Sequence, residues 1–321
     1  MIYKNVFSID NTMLLEYAYK LYQVYQNLYF YCRNKKLKEK LTKLGIPETI
    51  IFTKLNKEDK VINEFCNYKQ FKSNQFYRIS YGYGNTDYLY NNINRYLKKK
   101  IYLSASDYEN RFITCKYKTM GVAKFDTHYE LPSDIVIPTD KPIILFCHTW
   151  NKHEKMPKAF PNIEGFSDVE HTISVLEKYT DKFTIIHKNH HNTSFKSDKF
   201  INIDSGTYDS RKLIDMADII IADYGGSAVE AIISEKAKIL YVNAENHKLI
   251  NSKNFDVIFH NIFNHTSNED FEKNFLKLIE EPLSKKELNL RKEWRDTLFP
   301  YLDCGAQRLG EFIKNLDNEE L

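Results

Sequence analysis

Between residues 141 and 242 the chain carries five short apolar runs, PIILFC (142–147), FTIIH (183–187), FINI (200–203), DIIIA (218–222) and KILYV (238–242). Each is continuous rather than alternating, and a segment of helix-compatible length separates it from the next. A strand covered on one face alternates apolar and polar side chains, whereas an unbroken run belongs to a strand buried on both faces of a parallel sheet, with crossover helices on either side. The second half is therefore expected to be doubly wound α/β. Helix starts fit between the runs: Ser167-Asp168-Val169-Glu170 has the form of a capping box for a helix ending near Tyr179, and Asp209 is placed to cap a helix over 211–216.

The first half is less regular. Residues 11–31 read as an amphipathic, Tyr-rich helix and 34–43 as a second, charged one ending at Gly45-Ile46-Pro47. Short apolar runs follow at 49–52, 76–80 and 100–103, giving an irregular α/β domain over the first 125 or so positions. Pro132 and Pro138 mark a natural division, with domains expected at 1–135 and 136–321. The tail from Ser284 reads as two helices broken between Pro300 and Gly305, which close the second domain or cross back to the first.

A chain of 321 residues suits two domains, and 42% hydrophobic residues with only 10 glycines and 8 prolines exclude collagen-like, low-complexity and largely disordered classes. The five cysteines are widely spaced with no C-x-x-C pair, so neither a disulfide framework nor a zinc site is indicated, and a reducing, cytoplasmic setting is expected. The first twenty residues lack the apolar run of a signal peptide, and no run approaches membrane-spanning length. A net charge of +3 is too small to indicate nucleic acid. Positive charge does concentrate at 33–43 and 95–100; these are solvated helix faces, or a surface for peripheral contact with anionic lipid on the inner face of a membrane.

The most informative stretch for chemistry is Asp223-Tyr224-Gly225-Gly226-Ser227-Ala228-Val229-Glu230. A strand ends at Asp223, glycines make the turn and a helix opens at Ser227. Glycines let backbone approach a ligand closely, and free N–H groups at a helix start favour a phosphate or diphosphate. The same pattern is also a tight strand-to-helix turn capped by Ser227. It matches neither the dinucleotide fingerprint nor the P-loop. His187-Lys188-Asn189-His190-His191 follows the second run and supplies cations for charge developing on a leaving nucleotide; zinc is the rival reading of clustered histidines, but no H-E-x-x-H or nearby cysteine accompanies them. Further turns are Ser80-Tyr81-Gly82-Tyr83-Gly84, Met120-Gly121 to Asp126, and Asp303-Cys304-Gly305. No D-x-D pair is present to hold a divalent cation, so metal-free catalysis without a cofactor is expected.

Taken in order, these elements resemble the CDP-glycerol glycerophosphotransferase family, whose G-x-P-x-x-D appears as Gly121 to Asp126, P-T-W-R as His148-Thr149-Trp150-Asn151, K-x-H-P as Lys188 to His191, D-Y-S-S as Asp223 to Ser227, and D-G-x-A-x-x-R near Asp303 to Arg308. The likeness spans roughly residues 76–320. It implies a GT-B fold, two Rossmann-like domains facing a cleft. It also implies transfer of a glycerol-phosphate-like group from a CDP-activated donor to a hydroxyl of an envelope polysaccharide or lipid-linked acceptor, releasing CMP. On that pattern His190, Tyr81 and Asp126 are the catalytic candidates, and Lys188, Thr149, Arg211, Gly225, Gly226, Ser227 and Glu230 bind the donor and its phosphates. Three positions depart from the family: Tyr81-Gly82 stands where His-Gly supplies a base, Asn151 where arginine is usual, and Gly226 where a serine is usual. An unperturbed tyrosine, with a pKa near ~10, is a poor base at neutral pH. Two rival readings follow, a GT-B glycosyltransferase using a CMP- or UDP-sugar, and a nucleotide-binding protein of a polysaccharide locus that has lost catalysis.

Overall fold

The computed structural model describes residues 4–57, 59–63, 75–80, 101–148, 168–190, 195–223, 226–242 and 263–316. Two wholly parallel sheets organise them. The first contains β1 (Asn5–Ser8), β2 (Tyr29–Tyr31), β3 (Ile51–Phe52), β4 (Lys60–Asn63), β5 (Gln75–Ile79), β6 (Ile101–Ser104) and β7 (Lys116–Thr119), in the order β3-β2-β1-β4-β5-β6-β7. The second contains β8 (Ile143–Cys147), β9 (Thr184–Asn189), β10 (Ile201–Asp204), β11 (Ile219–Ala222), β12 (Lys238–Val242) and β13 (Asn264–Thr266), in the order β10-β9-β8-β11-β12-β13. In both, the strand order reverses beside the first strand of the sheet, which is the doubly wound pattern.

The second sheet follows the apolar runs closely because its strands are covered on both faces. On one face Ile144, Phe146, Ile185, Ile219, Ile221, Leu240 and Val242 pack against helices α4 (Val169–Leu176) and α7 (Phe271–Glu280). On the other, Ile143, Leu145, Ile186, Ile220, Ile239 and Tyr241 join the core that continues into the first half. The cap of α4 is Asp168, whose side chain accepts from His171 N at 3.0 Å; Ser167, the expected cap, lies outside the described residues. Asp209 caps α5 (Ser210–Met216) through Lys212 N at 3.1 Å.

The first half is more regular than its sequence indicates. The helix expected over 11–31 is α1 (Leu14–Val24), and Tyr29, Phe30 and Tyr31 form a strand instead. Aromatic residues suit a pleated, half-buried surface, and β2 is pinned between β1 and β3. Strands β4 and β7 contain lysines or asparagine and so leave no apolar run. Strand β7 is an edge, with Lys116, Tyr117 and Lys118 exposed, where lysines discourage pairing with another chain. Helix α2 (Lys35–Lys43) buries Leu37 and Leu41 and is capped by Asn34.

Helices α8 (Lys285–Leu298) and α9 (Gly305–Leu316) return to the first half. Trp294 meets Tyr108, on the short helix α3 (Asp107–Asn110), edge-on at 5.6 Å, and Phe312 meets Tyr77 at 5.5 Å. Asn5 donates to the Ile313 carbonyl at 3.2 Å. Gly305 backs so closely onto the segment before the Ala123–Phe125 turn that a Cβ there would lie 2.8 Å from the Val122 carbonyl carbon. Among the described residues, no helix is long and apolar enough to cross a membrane.

Candidate functional site

Register places the site. Lys188 on β9, Cys147 on β8, Ala222 on β11 and Tyr241 on β12 form one rung across the carboxyl edge of the second sheet. With strands about 4.8 Å apart, the exits of β9 and β11 flank β8 at roughly 10 Å from one another. Ala222 leads through Asp223 to helix α6 (Gly226–Glu230), so Lys188, His190, Gly226 and Ser227 share this edge, and all four are partly accessible. Cys147 is buried among them. Burial pushes its thiol up to about 12, so it stays protonated at neutral pH and is no nucleophile.

The first half meets this edge through its own carboxyl edge. Helix α1 leaves β1, and the loop leaving β10 packs on it: a Cβ at Gly206, whose φ is +77°, would lie 2.2 Å from the Thr12 carbonyl oxygen. Only a residue without a side chain tolerates both that approach and that backbone conformation.

A buried charge cluster fills the contact. Glu16 accepts from Ser210 N at 2.9 Å and from its hydroxyl at 2.8 Å, while Lys188 Nζ donates to the same hydroxyl oxygen at 2.9 Å. Lys20, wholly buried, pairs with Asp209 at 2.8 Å and lies 3.7 Å from Glu16. The same ammonium donates to the carbonyls of Lys124 at 2.8 Å and Asp126 at 2.7 Å, which fixes the Ala123–Phe125 turn. Lys124, itself 1% exposed, reaches across to Glu230. Three ammonium groups thus face three carboxylates, and the Lys20–Asp209 and Lys124–Glu230 pairs both cross between the halves. Burial, with Asp209 adding to it, holds the Glu16 carboxyl above its ordinary value even though Lys20 and Lys188 oppose the shift. Burial alone would pull Lys188 down, but Glu230, with Glu16 and Asp209, holds its ammonium above the ordinary value. Lys124 is pulled down by burial, which the Glu230 charge only partly offsets, and Lys188 adds to the depression.

The histidines of the 187–191 motif separate. The strand runs through Asn189, so His187 points to the opposite face from Lys188. It stacks on Phe146 at 4.8 Å, and its Nε2 lies 2.8 Å from Nδ1 of His148. Burial lowers His187 to about 4 and, with some repulsion from His187, His148 to about 3, so both rings are neutral and one donates to the other. His190 stands on the edge beyond the strand.

Of the expected site residues, Lys188, His190, Gly226, Ser227 and Glu230 share one region. Asp126 is buried just behind the Lys124 turn and accepts from His128 N at 3.0 Å. Arg211 faces elsewhere: its guanidinium is held by Asp215 at 2.8 Å and Asp303 at 3.3 Å, in a surface hollow shared with His128 and Tyr301. Tyr81, Thr149 and Gly225 lie outside the described residues, as do Tyr224, His191 and Asn151. Among the described residues, no group of three or more His, Cys, Asp or Glu side chains is arranged to hold a metal ion.

Sequence reasoning missed Glu16, Lys20, Lys124, Asp209 as an ion-pair partner, and the His148–His187 pair. A signal existed for two of them. Glu16 and Lys20 stand four apart inside the apolar stripe of α1, among Leu14, Leu15, Tyr17, Ala18 and Leu21, where charges occur only if paired.

No protein-family model matches the chain, and no curated protein matches it in sequence. Solved structures match in fold. The wall teichoic acid polymerase TagF aligns at a TM-score of 0.65 with 13% identity, over 98% of this chain and 89% of that one. S. aureus MnaA, solved with UDP, aligns at 0.56 with 11% identity over 99% and 97%. A UDP-N-acetylglucosamine 2-epimerase aligns at 0.57 with 10% identity over 100% and 98%. These likenesses span both sheets and establish the fold as two parallel α/β sheets in the GT-B arrangement.

Proposed function

We propose that this chain is a metal-independent transferase that moves a glycerol-phosphate-like group, or a related polyol or sugar phosphate, from a CDP-activated donor to a hydroxyl of an envelope polysaccharide or lipid-linked acceptor. The observation that carries the reading is the likeness to TagF across both sheets, over 98% of this chain; a TagF structure of the same fold was obtained after a 30 minute soak with CDPG. The chemistry available at the shared edge agrees with it. An acceptor oxygen attacks the β-phosphorus of the donor, the bond from that phosphorus to the bridging oxygen breaks, and CMP departs. Such a transfer depends on positioning and charge neutralisation more than on covalent participation by the protein.

In this reading Gly225, Gly226 and Ser227 hold the diphosphate, Lys188 and His190 stabilise the departing phosphate, and Glu230 contacts the ribose. The proton of the acceptor hydroxyl passes to the acceptor side, where Asp126 and Tyr81 belong. Thr149 completes the donor pocket, and Arg211 contacts phosphate only by releasing Asp215 and Asp303. The setting is cytoplasmic, with peripheral contact to the inner face of the membrane. His190→Ala should lower turnover by about two to four orders of magnitude, the range of a general acid or charge stabiliser. Retained turnover in a folded variant removes His190 from the mechanism.

A second reading, a CMP- or UDP-sugar as donor, is favoured by the fold likeness to MnaA with UDP and by the Gly225-Gly226-Ser227 and Glu230-Ala231 spacing. Thermal stabilisation by CMP, CDP, UMP and UDP separates the two, followed by release of free nucleotide when acceptor is added. Preference for uridine overturns the CDP-alcohol reading, and stabilisation without turnover points to a binding protein.

A further inference from the structure

Glu230 receives one ammonium from the first half and attracts another on its own sheet edge. Lys124 pairs with it directly, and its charge is the largest attraction acting on Lys188. Lys188 and Lys124 also repel one another. Glu230 lies three residues after Ser227 on α6, a spacing that puts the two on one helix face about 5–6 Å apart. The Lys124 ammonium therefore sits within one helical turn of the residue expected to meet the donor phosphates. Stability alone is a weak reason for such a pair, because buried ion pairs roughly break even against apolar side chains of similar volume.

The rest of the turn is secured independently of that side chain. Lys20 holds the carbonyls on both sides of Phe125, those of Lys124 and Asp126, and reaches Asp209 with the same ammonium. Lys124 can let go of Glu230 without releasing one half from the other.

We propose that Lys124 is a phosphate ligand contributed by the first half: Glu230 occupies its ammonium in the unliganded chain, and a diphosphate bound at the carboxyl edge of the second sheet takes that carboxylate's place. The inference rests on the reading of this edge as a phosphate site. It adds a cation from the opposite half and a carboxylate that competes with the ligand. Lys124 keeps an anionic partner through the exchange, and the released Glu230 carboxylate turns toward a ribose, away from the incoming phosphates.

The test uses the full chain and inorganic pyrophosphate, which has no ribose to complicate Glu230. Affinity is measured calorimetrically for the wild type, Lys124→Gln and Glu230→Gln. Loss of a charge-assisted bond should weaken pyrophosphate about ten-fold or more in Lys124→Gln, whereas Glu230→Gln should tighten it several-fold by removing the competitor. A pair that only holds the fold would give effects of the same sign, or none, and either result overturns the proposal. Should Lys124→Gln fail to fold, Glu230→Gln decides alone, since the neutral isostere leaves Lys124 in place and absence of tightening refutes the exchange. Cytidine and uridine nucleotides run alongside keep the two readings apart. Opposite-sign pyrophosphate effects without cytidine preference retain Lys124 and retire the CDP-alcohol donor.

Discussion

Two buried polar clusters in this chain solve the same problem in different ways. Between the halves, Glu16, Lys20, Lys124, Lys188, Asp209 and Glu230 balance charge against charge. Within the first half, at the carboxyl end of β5 and β6, a single buried carboxyl, Glu109, accepts hydrogen bonds from neutral donors, the Tyr102 hydroxyl at 2.6 Å, Ala105 N at 2.7 Å and the Ser80 hydroxyl at 3.2 Å, with the Arg78 charge as a lesser attraction. Burial raises the pKa of both Glu16 and Glu109. Only the first cluster joins segments far apart in sequence, and the proposed anion exchange belongs to it alone. Neutral hydrogen bonds suit a loop that must keep one shape, whereas ion pairs suit a contact at which a charged ligand is to be admitted.

The comparison is tested most severely at Lys20. Lys20→Met removes one ammonium and leaves Asp209 and two carbonyls without it, which should cost about 3–5 kcal/mol, the range for breaking a buried pair from one side. Urea unfolding measures this, and a loss below ~1 kcal/mol would show that the cluster does not hold the halves together. Gly206→Ala probes the same contact without touching a charge. The positive φ costs about 1–2 kcal/mol for a residue with a side chain, and crowding against the Thr12 carbonyl adds about 1–3 kcal/mol, so the expected loss is about 2–5 kcal/mol. An unchanged unfolding midpoint would mean that the loop after β10 does not bear on α1.

How far the sequence disclosed all this differs between the halves for the same physical reason. Strands β8, β9, β11 and β12 are buried on both faces and so are written as continuous apolar runs. Strands β4 and β7 are KVIN and KYKT, short and polar, and become strands because neighbours pair with them, a choice invisible in a local window. The site divides likewise. Lys188, Ser227 and Glu230 were legible because each follows an apolar strand at its carboxyl end. Lys124 was not, because its partner lies 106 positions away, and nothing near Gly121-Val122-Ala123 marks a lysine whose side chain is buried. Within 187–191, pleating sends His187 and Lys188 to opposite faces, so adjacency in sequence is separation in the fold.

A smaller effect is expected at Glu109, because the donors to it from Tyr102, Ala105 and Ser80 are neutral. Glu109→Gln keeps the shape and one acceptor but cannot accept from Tyr102, Ala105 and Ser80 together, so about 1–3 kcal/mol should be lost. The first half alone should be affected, with nucleotide-induced stabilisation intact. A Glu109→Gln variant that also lost nucleotide-induced stabilisation would erase the distinction between an exchangeable cluster and a fixed one.

At neutral pH the smallest expected effect concerns a third arrangement, the neutral pair of His148 and His187, which is held by burial and carries no charge to exchange. Both rings have folded pKa values, about 3 and about 4, below the ordinary 6.5. As pH falls below 6.5 the unfolded chain takes up protons that the folded chain refuses. The stability contributed by the neutral rings is therefore complete above pH 6.5 and is lost on acidification toward about 4 for His187 and about 3 for His148. Each ring adds a slope of about 1.4 kcal/mol per pH unit in that window. His148→Phe leaves the Phe146 face occupied by an aromatic ring and removes one of the two protons, so the pair's share of the acid dependence should halve. It also orphans the His187 nitrogen, which lowers stability at neutral pH without changing the slope. Urea midpoints across the window separate the two effects, and an acid slope unaltered by the substitution would show that His148 is already charged in the folded chain.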